Sequence, residues 1–240
     1  MGIPSYKIRE YGERLPGYSL TEPSKGTLEV VIKREHNEAR ACVYNELVAL
    51  ALGNAIGVPL VQGVPTHTVD GVCFASLMVD GMGIDLPNIG FEQFESAVKR
   101  YPRECAGLLV FDAWIQNSDR SENLKANLQL SPAHIFAGFD HESGLLKHID
   151  SIQERLDALR DPNQFISHPF AGIGLDNYLP PWIERIQNLS DERIVESVVL
   201  GRSVNSVHED EQISLAEALV MRRDWLPELV SGARPVKGLE

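Results

Sequence analysis

The sequence FDAWIQNSDR, residues 111–120, joins an apolar helical segment to a polar end. Its apolar residues recur three and four positions apart, which is the spacing of one helix face and predicts a helix over residues 102–115. Asn, Ser, Asp and Arg follow directly, and these residue types are typical of a turn or loop. The segment therefore predicts a buried helix that delivers Asp119 into a polar loop over residues 117–126.

A second aspartate follows a predicted β-hairpin. Residues 127–130 (NLQL) and 135–139 (IFAGF) flank a short turn, which is a hairpin pattern, and Asp140 comes directly after the second segment. Carboxylates and an amide that converge from loop and strand ends suit a hard cation such as Mg²⁺. Two negative charges about 4 Å apart repel by about 4 kcal/mol at an effective dielectric of 20. A pairing of Asp119 with Asp140 would therefore favour a bound cation or a raised pKa on one carboxyl group.

A lysine and a glutamate upstream form another candidate pair. Lys33 ends a β-rich run at residues 27–33, which predicts a strand. Glu46 lies in a helix that the apolar spacing predicts over residues 38–54, with Asn37 as its cap. A strand-end lysine that is held by a helix glutamate is the arrangement that places an ammonium group on nucleotide phosphates.

The type of predicted element changes near residue 80. Further strands are predicted at residues 58–64 and 72–79, and the segment 80–87 has the composition of a hinge. Helices dominate afterwards, over residues 91–99, 102–115, 152–159, 180–188, 190–200 and 213–230. This order predicts an α+β fold with a small strand-rich lobe over residues 1–80, a larger helical lobe over residues 81–240, and a cleft between them.

Composition and charge narrow the classes of partner. The chain has 240 residues, of which 43% are hydrophobic, and a chain of this length buries roughly 70–75% of its unfolded surface. Lys and Arg number 22 against 34 Asp and Glu, so the formal net charge is −12. Binding to nucleic acid or to an anionic membrane is dominated by cationic side chains, so neither is expected as the main partner.

The cysteines and the N-terminus favour a cytoplasmic location. Cys42, Cys73 and Cys105 are widely spaced and odd in number, so neither a disulfide framework nor a thiolate zinc site is expected. The N-terminus has no apolar signal core, and no segment reaches the ~20 apolar residues of a membrane span.

Four segments resemble the HipA-like kinase family and, more distantly, the phosphatidylinositol kinases. They are VVIK ending at Lys33, NELVA at residues 45–49 with IGVP at 56–59, FDAWIQNSDR at 111–120, and FDHE at 139–142. The family resemblance implies a bilobal protein-kinase-like fold and an enzyme that uses ATP and Mg²⁺. It further implies transfer of the γ-phosphoryl group to a hydroxyl, on Ser or Thr of a protein substrate, and a toxin–antitoxin context with an antitoxin-like partner.

The resemblance also implies a role for each matching residue. Lys33 would contact the α- and β-phosphates of ATP while paired with Glu46, and Asp119 would orient or deprotonate the acceptor hydroxyl. Asp140 would bind Mg²⁺. The backbone of Met78, Val79 and Asp80 would bind adenine.

The metal-binding asparagine is ambiguous in this sequence. The family places it about five positions after the catalytic aspartate, whereas Asn123 comes four and Asn127 eight positions after Asp119. Asn127 directly precedes the predicted hairpin strand and is preferred for that reason, with Asn123 as the alternative. The segment 12–19, which would cover the phosphates, has two glycines but no G-x-G.

These departures leave two other functions open. A catalytically weak pseudokinase or nucleotide-binding module would keep the fold and the nucleotide but transfer nothing. A plain interaction protein would bind no nucleotide at all. The acceptor class rests on the family resemblance alone.

Overall fold

The computed structural model describes residues 8–16, 23–69, 71–78, 80–81, 84–86, 88–129, 135–147 and 152–236. It has a strand-rich N-terminal part followed by a mainly helical remainder, which agrees with the predicted α+β class. Among these residues no helix is both long enough and apolar enough to cross a membrane.

The N-terminal part contains two antiparallel sheets. The strands are β1 Ile8–Arg14, β2 Ser24–Leu28, β3 Val30–Lys33, β4 Gly63–Thr68 and β5 Gly71–Leu77. β1 and β2 form a separate ribbon, and the other three form a sheet in the order β3-β5-β4. The predicted strand 27–33 is therefore broken at Glu29, whose backbone carbonyl accepts a hydrogen bond from the Met78 amide at 3.3 Å. The predicted strand 58–64 is displaced, because β4 begins only at Gly63.

A buried helix, α1 Cys42–Ile56, connects this sheet to the helical remainder. It begins four residues later than predicted, and the predicted cap Asn37 lies outside it. It ends at Gly57, whose φ of 77° is the left-handed conformation that glycine adopts without a steric penalty. The Tyr44 hydroxyl donates to the Val198 carbonyl at 2.9 Å, so α1 is tied to a helix far along the chain.

The remainder contains seven further helices and six short strands within the described ranges. The helices are α2 Phe94–Arg100, α3 Pro102–Ile115, α4 Ile152–Leu159, α5 Pro180–Gln187, α6 Asp191–Val198, α7 Glu209–Asp224 and α8 Leu226–Ser231. The strands are β6 Asp80–Gly81, β7 Ile84–Asp85, β8 Leu124–Ala126, β9 Phe136–Gly138, β10 Ser167–His168 and β11 Arg234–Pro235.

The long helix predicted over 213–230 is two helices in the structure. α7 ends at Asp224, and Pro227 lies in the first turn of α8. Proline lacks the backbone N–H that a continuous helix needs, but it fits a first turn, where that N–H has no partner in any case. By contrast, α3 and α4 have the predicted bounds. α3 is almost wholly buried, and Trp114 on it donates to the Leu219 carbonyl of α7 at 3.0 Å.

The hairpin lies three residues earlier than predicted on its first strand. β8 covers Leu124–Ala126 and pairs with β9 so that Leu124 lies opposite Gly138. Leu124, Ala126 and Leu128 have the same two-residue phase, so the apolar alternation continues past the true strand and does not mark where pairing begins. As a result, the asparagine that directly precedes the strand is Asn123 and not Asn127.

The buried Tyr44 hydroxyl generates a test of the fold. Tyr44→Phe should lower the free energy of unfolding by about 1–2 kcal/mol, because it leaves the buried Val198 carbonyl without its donor. Tyr178→Phe is the matched control, since Tyr178 is on the surface, and it should change stability by less than about 0.5 kcal/mol. Urea unfolding of the three proteins makes the comparison, and equal stabilities would contradict the α1–α6 tie.

Candidate active site

Lys33 lies between two carboxylates. Its ammonium nitrogen is 2.6 Å from Glu46 Oε1 and 2.6 Å from Asp140 Oδ1. The register of the sheet, with Lys33 opposite Phe74 of β5, places the lysine at the end of β3 and beside α1. Burial alone would lower the pKa of Lys33, but the two carboxylates hold it above its usual value. The lysine is therefore a fixed positive charge.

Glu46 joins this lysine to the loop that follows β9. Its carboxylate is 4% exposed, and it also accepts from the His141 backbone amide at 2.9 Å and contacts His141 Nδ1 at 3.1 Å. Burial alone would raise the pKa of Glu46, but His141 and Lys33 lower it to about 2. Glu46 consequently stays ionised, and one side chain of α1 holds both the lysine and the loop.

Asp140 has an unusual backbone conformation. Its φ is 58°, in the left-handed region that aspartate tolerates better than most residues. The amide of Glu142 donates to its side chain at 3.4 Å. This bend turns the chain immediately after β9, and the Asp140 carboxylate meets Lys33 there.

Asp119 is organised by two asparagines of its own loop. Asn123 Nδ2 donates to the Asp119 carbonyl at 2.8 Å and to its carboxylate at 3.2 Å. The Asp119 amide donates to Asn117 Oδ1 at 3.4 Å. Partial burial and the negative charge of Asp140 together raise the pKa of Asp119 above its usual value. The two aspartates therefore lie close enough to interact electrostatically.

The hairpin separates the two candidate asparagines. The Asn123 carbonyl accepts from the Phe139 amide at 3.1 Å, next to Asp140, whereas the Asn127 amide donates to Ile135 at the other end of the hairpin. Four residues of strand correspond to about 13 Å. The structure thus does not bring Asn127 to Asp140, and the preference for Asn127 over Asn123 is corrected. The cause is the displaced strand start.

A cavity of about 200 Å³ opens beside Lys33, Glu46 and Asp140. Met78 also lines this cavity, and its backbone amide donates to the Glu29 carbonyl. Val79 lies outside the described residues, and only the backbone of Asp80 is described. The remaining residues around the cavity are Val31, Val61, Phe74, Ser76, Leu77, Lys125, Phe139 and His141.

The donor set suits a hard cation. Asp140, Asp119 and Asn123 offer carboxylate and amide oxygens, which are the ligands that Mg²⁺ prefers. In the ranges that the structure covers, no cluster of three or more His, Cys, Asp or Glu side chains could hold a metal ion by itself. A magnesium ion here would therefore take its remaining ligands from water or phosphate oxygens, as it commonly does.

Behind the site lies a buried ion pair of Arg120 with Asp112, and sequence reasoning did not single out Asp112 as the partner. Arg120 Nε is 2.8 Å from Asp112 Oδ2, its second terminal nitrogen is 3.0 Å from Oδ1, and both side chains are fully buried. The other terminal nitrogen of Arg120 donates to the carbonyls of Asn123 and Phe139 at 2.8 and 2.6 Å. The signal in the sequence was a charged residue, Asp112, inside the otherwise apolar segment 105–115.

His168 completes this buried group. Its Nε2 is 3.1 Å from Asp112 Oδ2, and its Nδ1 accepts from the Phe170 amide at 3.2 Å. The proton therefore resides on Nε2 and the ring is neutral. Burial lowers the pKa of His168. Burial alone would raise the pKa of Asp112, but Arg120 and His168 hold it well below its usual range.

Two solved structures have a similar fold. A proinflammatory kinase of Helicobacter pylori, CtkA, matches with a TM-score of 0.59 and 13% identity, over 96% of this chain and 98% of that one. HipA of Shewanella oneidensis, solved with HipB and operator DNA, matches with a TM-score of 0.54 and 13% identity, over 90% of this chain and 64% of that one. The resemblance to the HipA-like kinases is thereby confirmed at the level of the fold.

Sequence comparison adds no relative. No protein-family model matches the chain, and no curated protein matches it either. Function must therefore be argued from the site itself.

The neutral, buried His168 generates a pH prediction. Because its folded pKa is lowered, the unfolded chain takes up a proton that the folded chain refuses once the pH falls below about 6.5. The free energy of unfolding should thus keep its full value above that pH and fall below it, by up to about 1.4 kcal/mol per pH unit for this proton. His168→Gln should make the decline between pH 6.5 and 5 shallower.

Chemical unfolding at several pH values measures that slope. His67→Gln is the control, because His67 is exposed on β4, and its slope should equal that of the unmodified protein. Equal slopes in all three proteins would show that His168 does not carry the effect, whatever its substitution does to overall stability.

Proposed function

We propose that this chain is an ATP- and Mg²⁺-dependent phosphotransferase of HipA-like type. It transfers the γ-phosphoryl group to a hydroxyl, and the acceptor is Ser or Thr of a protein. The observation that carries the proposal is the partly buried contact of Lys33 with both Glu46 and Asp140 on the wall of one cavity. An ammonium held by a helix carboxylate, beside an aspartate, is what phosphate binding and metal binding require together.

Lys33 and Glu46 form the phosphate-binding pair in this proposal. Glu46 remains ionised and restrains the lysine at the cavity wall. Nucleotide phosphates take the place of Asp140 beside the Lys33 ammonium group. Lys33 then neutralises charge on the α- and β-phosphates, and the Asp140 carboxylate becomes available to a cation.

Asp119 acts on the acceptor. It orients the hydroxyl and accepts its proton as the oxygen bonds to the γ-phosphorus and the bond from that phosphorus to the β–γ bridging oxygen breaks. The raised pKa of Asp119 makes it a better proton acceptor than an ordinary aspartate. Asn123 holds Asp119 in place and presents its own amide oxygen to the metal. Bound Mg²⁺ supplies neutralisation of phosphate charge.

The arrangement of the chain fits a cleft between two lobes. The proposed lobes are residues 1–80 and 81–240, with the cavity between the β3–β5 sheet and the loops that carry Asp119 and Asp140. Backbone groups at Met78, Val79 and Asp80 bind adenine. The proposal includes a cytoplasmic location, a protein substrate and an antitoxin-like protein partner. The net charge of −12 weighs against nucleic acid and anionic membranes as direct partners.

One observation supports the alternative of a nucleotide-binding module without transfer. Both carboxylates engage Lys33 at 2.6 Å. A nucleotide that fails to displace Asp140 from the lysine would bind without an organised metal site. This pseudokinase would bind Mg-ATP and show no turnover.

Ligand-induced stabilisation tests nucleotide binding. At 100 times its Kd, Mg-ATP should stabilise the folded protein by about 2.7 kcal/mol, measured by thermal or chemical unfolding. Lys33→Met should lose most of that stabilisation relative to its own unliganded baseline. Lys99→Met is the control, since Lys99 is on the exposed surface of α2, and it should keep the full effect. No stabilisation of the unmodified protein would favour the plain interaction protein instead.

Transfer itself is tested at the two aspartates. Asp119→Ala and Asp140→Ala should each reduce transfer at least about 100-fold, because one removes the proton acceptor and the other the metal ligand. The assay follows the labelled γ-phosphate onto the protein itself and onto Ser- and Thr-containing peptides. Asp210→Ala, at the exposed start of α7, should keep full activity.

Circular dichroism and unfolding curves establish that each variant is folded. Full transfer in both aspartate variants would end the proposed mechanism. Binding of Mg-ATP without turnover in the unmodified protein would leave the nucleotide-binding module as the function.

A further inference from the structure

A second lysine lines the same cavity and has no part in the proposed phosphate chemistry. Lys125 lies on β8 between the buried residues Leu124 and Ala126. Successive side chains of a strand point to opposite faces, so Lys125 lies on the other face of the hairpin from these two neighbours. Its partner across the hairpin, on the same face, is Ala137.

The surroundings of Lys125 are apolar. Ala137 belongs to a small buried cluster with Val61, Leu86 and Ile135, against which Phe139 packs. Val61 and Phe139 also line the cavity. The aliphatic stem of Lys125 therefore continues an apolar wall, which is the kind of surface against which a flat ring can pack.

The ammonium group of Lys125 has spare hydrogen-bonding capacity. It donates to the Leu86 carbonyl at 2.7 Å. Unlike Lys33, it forms no ion pair with a carboxylate in the part of the chain that the structure covers. An ammonium has three donors and no acceptor. Two donors of Lys125 thus remain for a ligand that brings acceptor atoms.

Strand geometry places Lys125 away from the phosphate end of the cavity. Lys33 lies opposite Phe74 on β5, and Met78 follows four residues later, about 13 Å along that strand. On the facing hairpin, Ala137 is level with Lys125, and Asp140 comes three residues later, past the end of β9, at a distance of at most about 10 Å along the chain. Both walls of the cavity therefore have Lys33 and Asp140 at one end, and Met78 and Lys125 lie towards the other.

We infer that Lys125 binds the nucleoside portion of the nucleotide, by donating to a ring nitrogen of adenine or to a ribose oxygen. The inference rests on the proposed function, because it assigns the triphosphate to Lys33 and the nucleoside to the opposite end. Lys125 would then contribute to the preference for a nucleotide over a bare polyphosphate, and it would have no share in the transfer step.

Comparing two ligands separates the ends of the cavity. ATP and inorganic tripolyphosphate, both with Mg²⁺, are titrated by calorimetry into the unmodified protein and into Lys125→Met, which keeps the stem but loses the donors. The ratio of the tripolyphosphate Kd to the ATP Kd should fall about tenfold or more in the variant, because a hydrogen bond from a charged donor contributes about that much to affinity. The tripolyphosphate Kd should stay unchanged. Lys125→Arg should restore part of the ratio, and Lys99→Met should leave both Kd values alone.

Three other outcomes would overturn either the role of Lys125 or the proposed function itself. An unchanged ratio in Lys125→Met refutes the role of Lys125. An equal loss of affinity for both ligands also refutes it, because it shows that Lys125 supports the cavity through Leu86 without reading the nucleoside. If the unmodified protein binds neither ligand, the proposed function fails and takes this inference with it.

Discussion

The buried pair of Arg120 and Asp112 is the constraint on which the site depends. Removing two charges from water costs several kcal/mol for each, and only good geometry with further hydrogen bonds offsets that cost. Here both carboxylate oxygens of Asp112 accept hydrogen bonds from Arg120. His168 and Asn117 supply the further hydrogen bonds to this carboxylate. Loss of one partner would leave the other charge buried and unpaired, which costs about 3–5 kcal/mol.

This pair determines where the loops run. The remaining terminal nitrogen of Arg120 donates to the carbonyls of Asn123, directly before β8, and Phe139, directly after β9. Phe139 is thereby tied to Arg120. The next residue, Asp140, contacts Lys33, and His141 donates its backbone amide to Glu46. Consecutive residues are thus anchored to the loop that follows α3, to β3 and to α1. The separation of the charged groups is a property of the folded core and not of a mobile loop.

The sequence predicts those parts of this arrangement that depend on local pattern. Helices α3 and α4 have the predicted bounds, and Lys33 and Glu46 come together as a strand-end lysine and a helix glutamate should. The start of β8 could not be read, because apolar alternation continues beyond Ala126 in the same phase, and that error moved the choice of asparagine. The contact of Asp112 with His168 could not be predicted either, because 56 positions separate the two residues and no local sequence pattern connects them.

The low identity to the two kinase structures follows from the same physics. An apolar core tolerates many exchanges of similar volume, so a fold persists while most residues change. At 13% identity the shared fold therefore reflects similar packing of the apolar core. A partly buried lysine between two carboxylates is different, because a neutral replacement would leave both carboxylates without the cation they surround. Experiments on the pairs at Lys33 and Arg120 are therefore more informative than any further comparison of the fold.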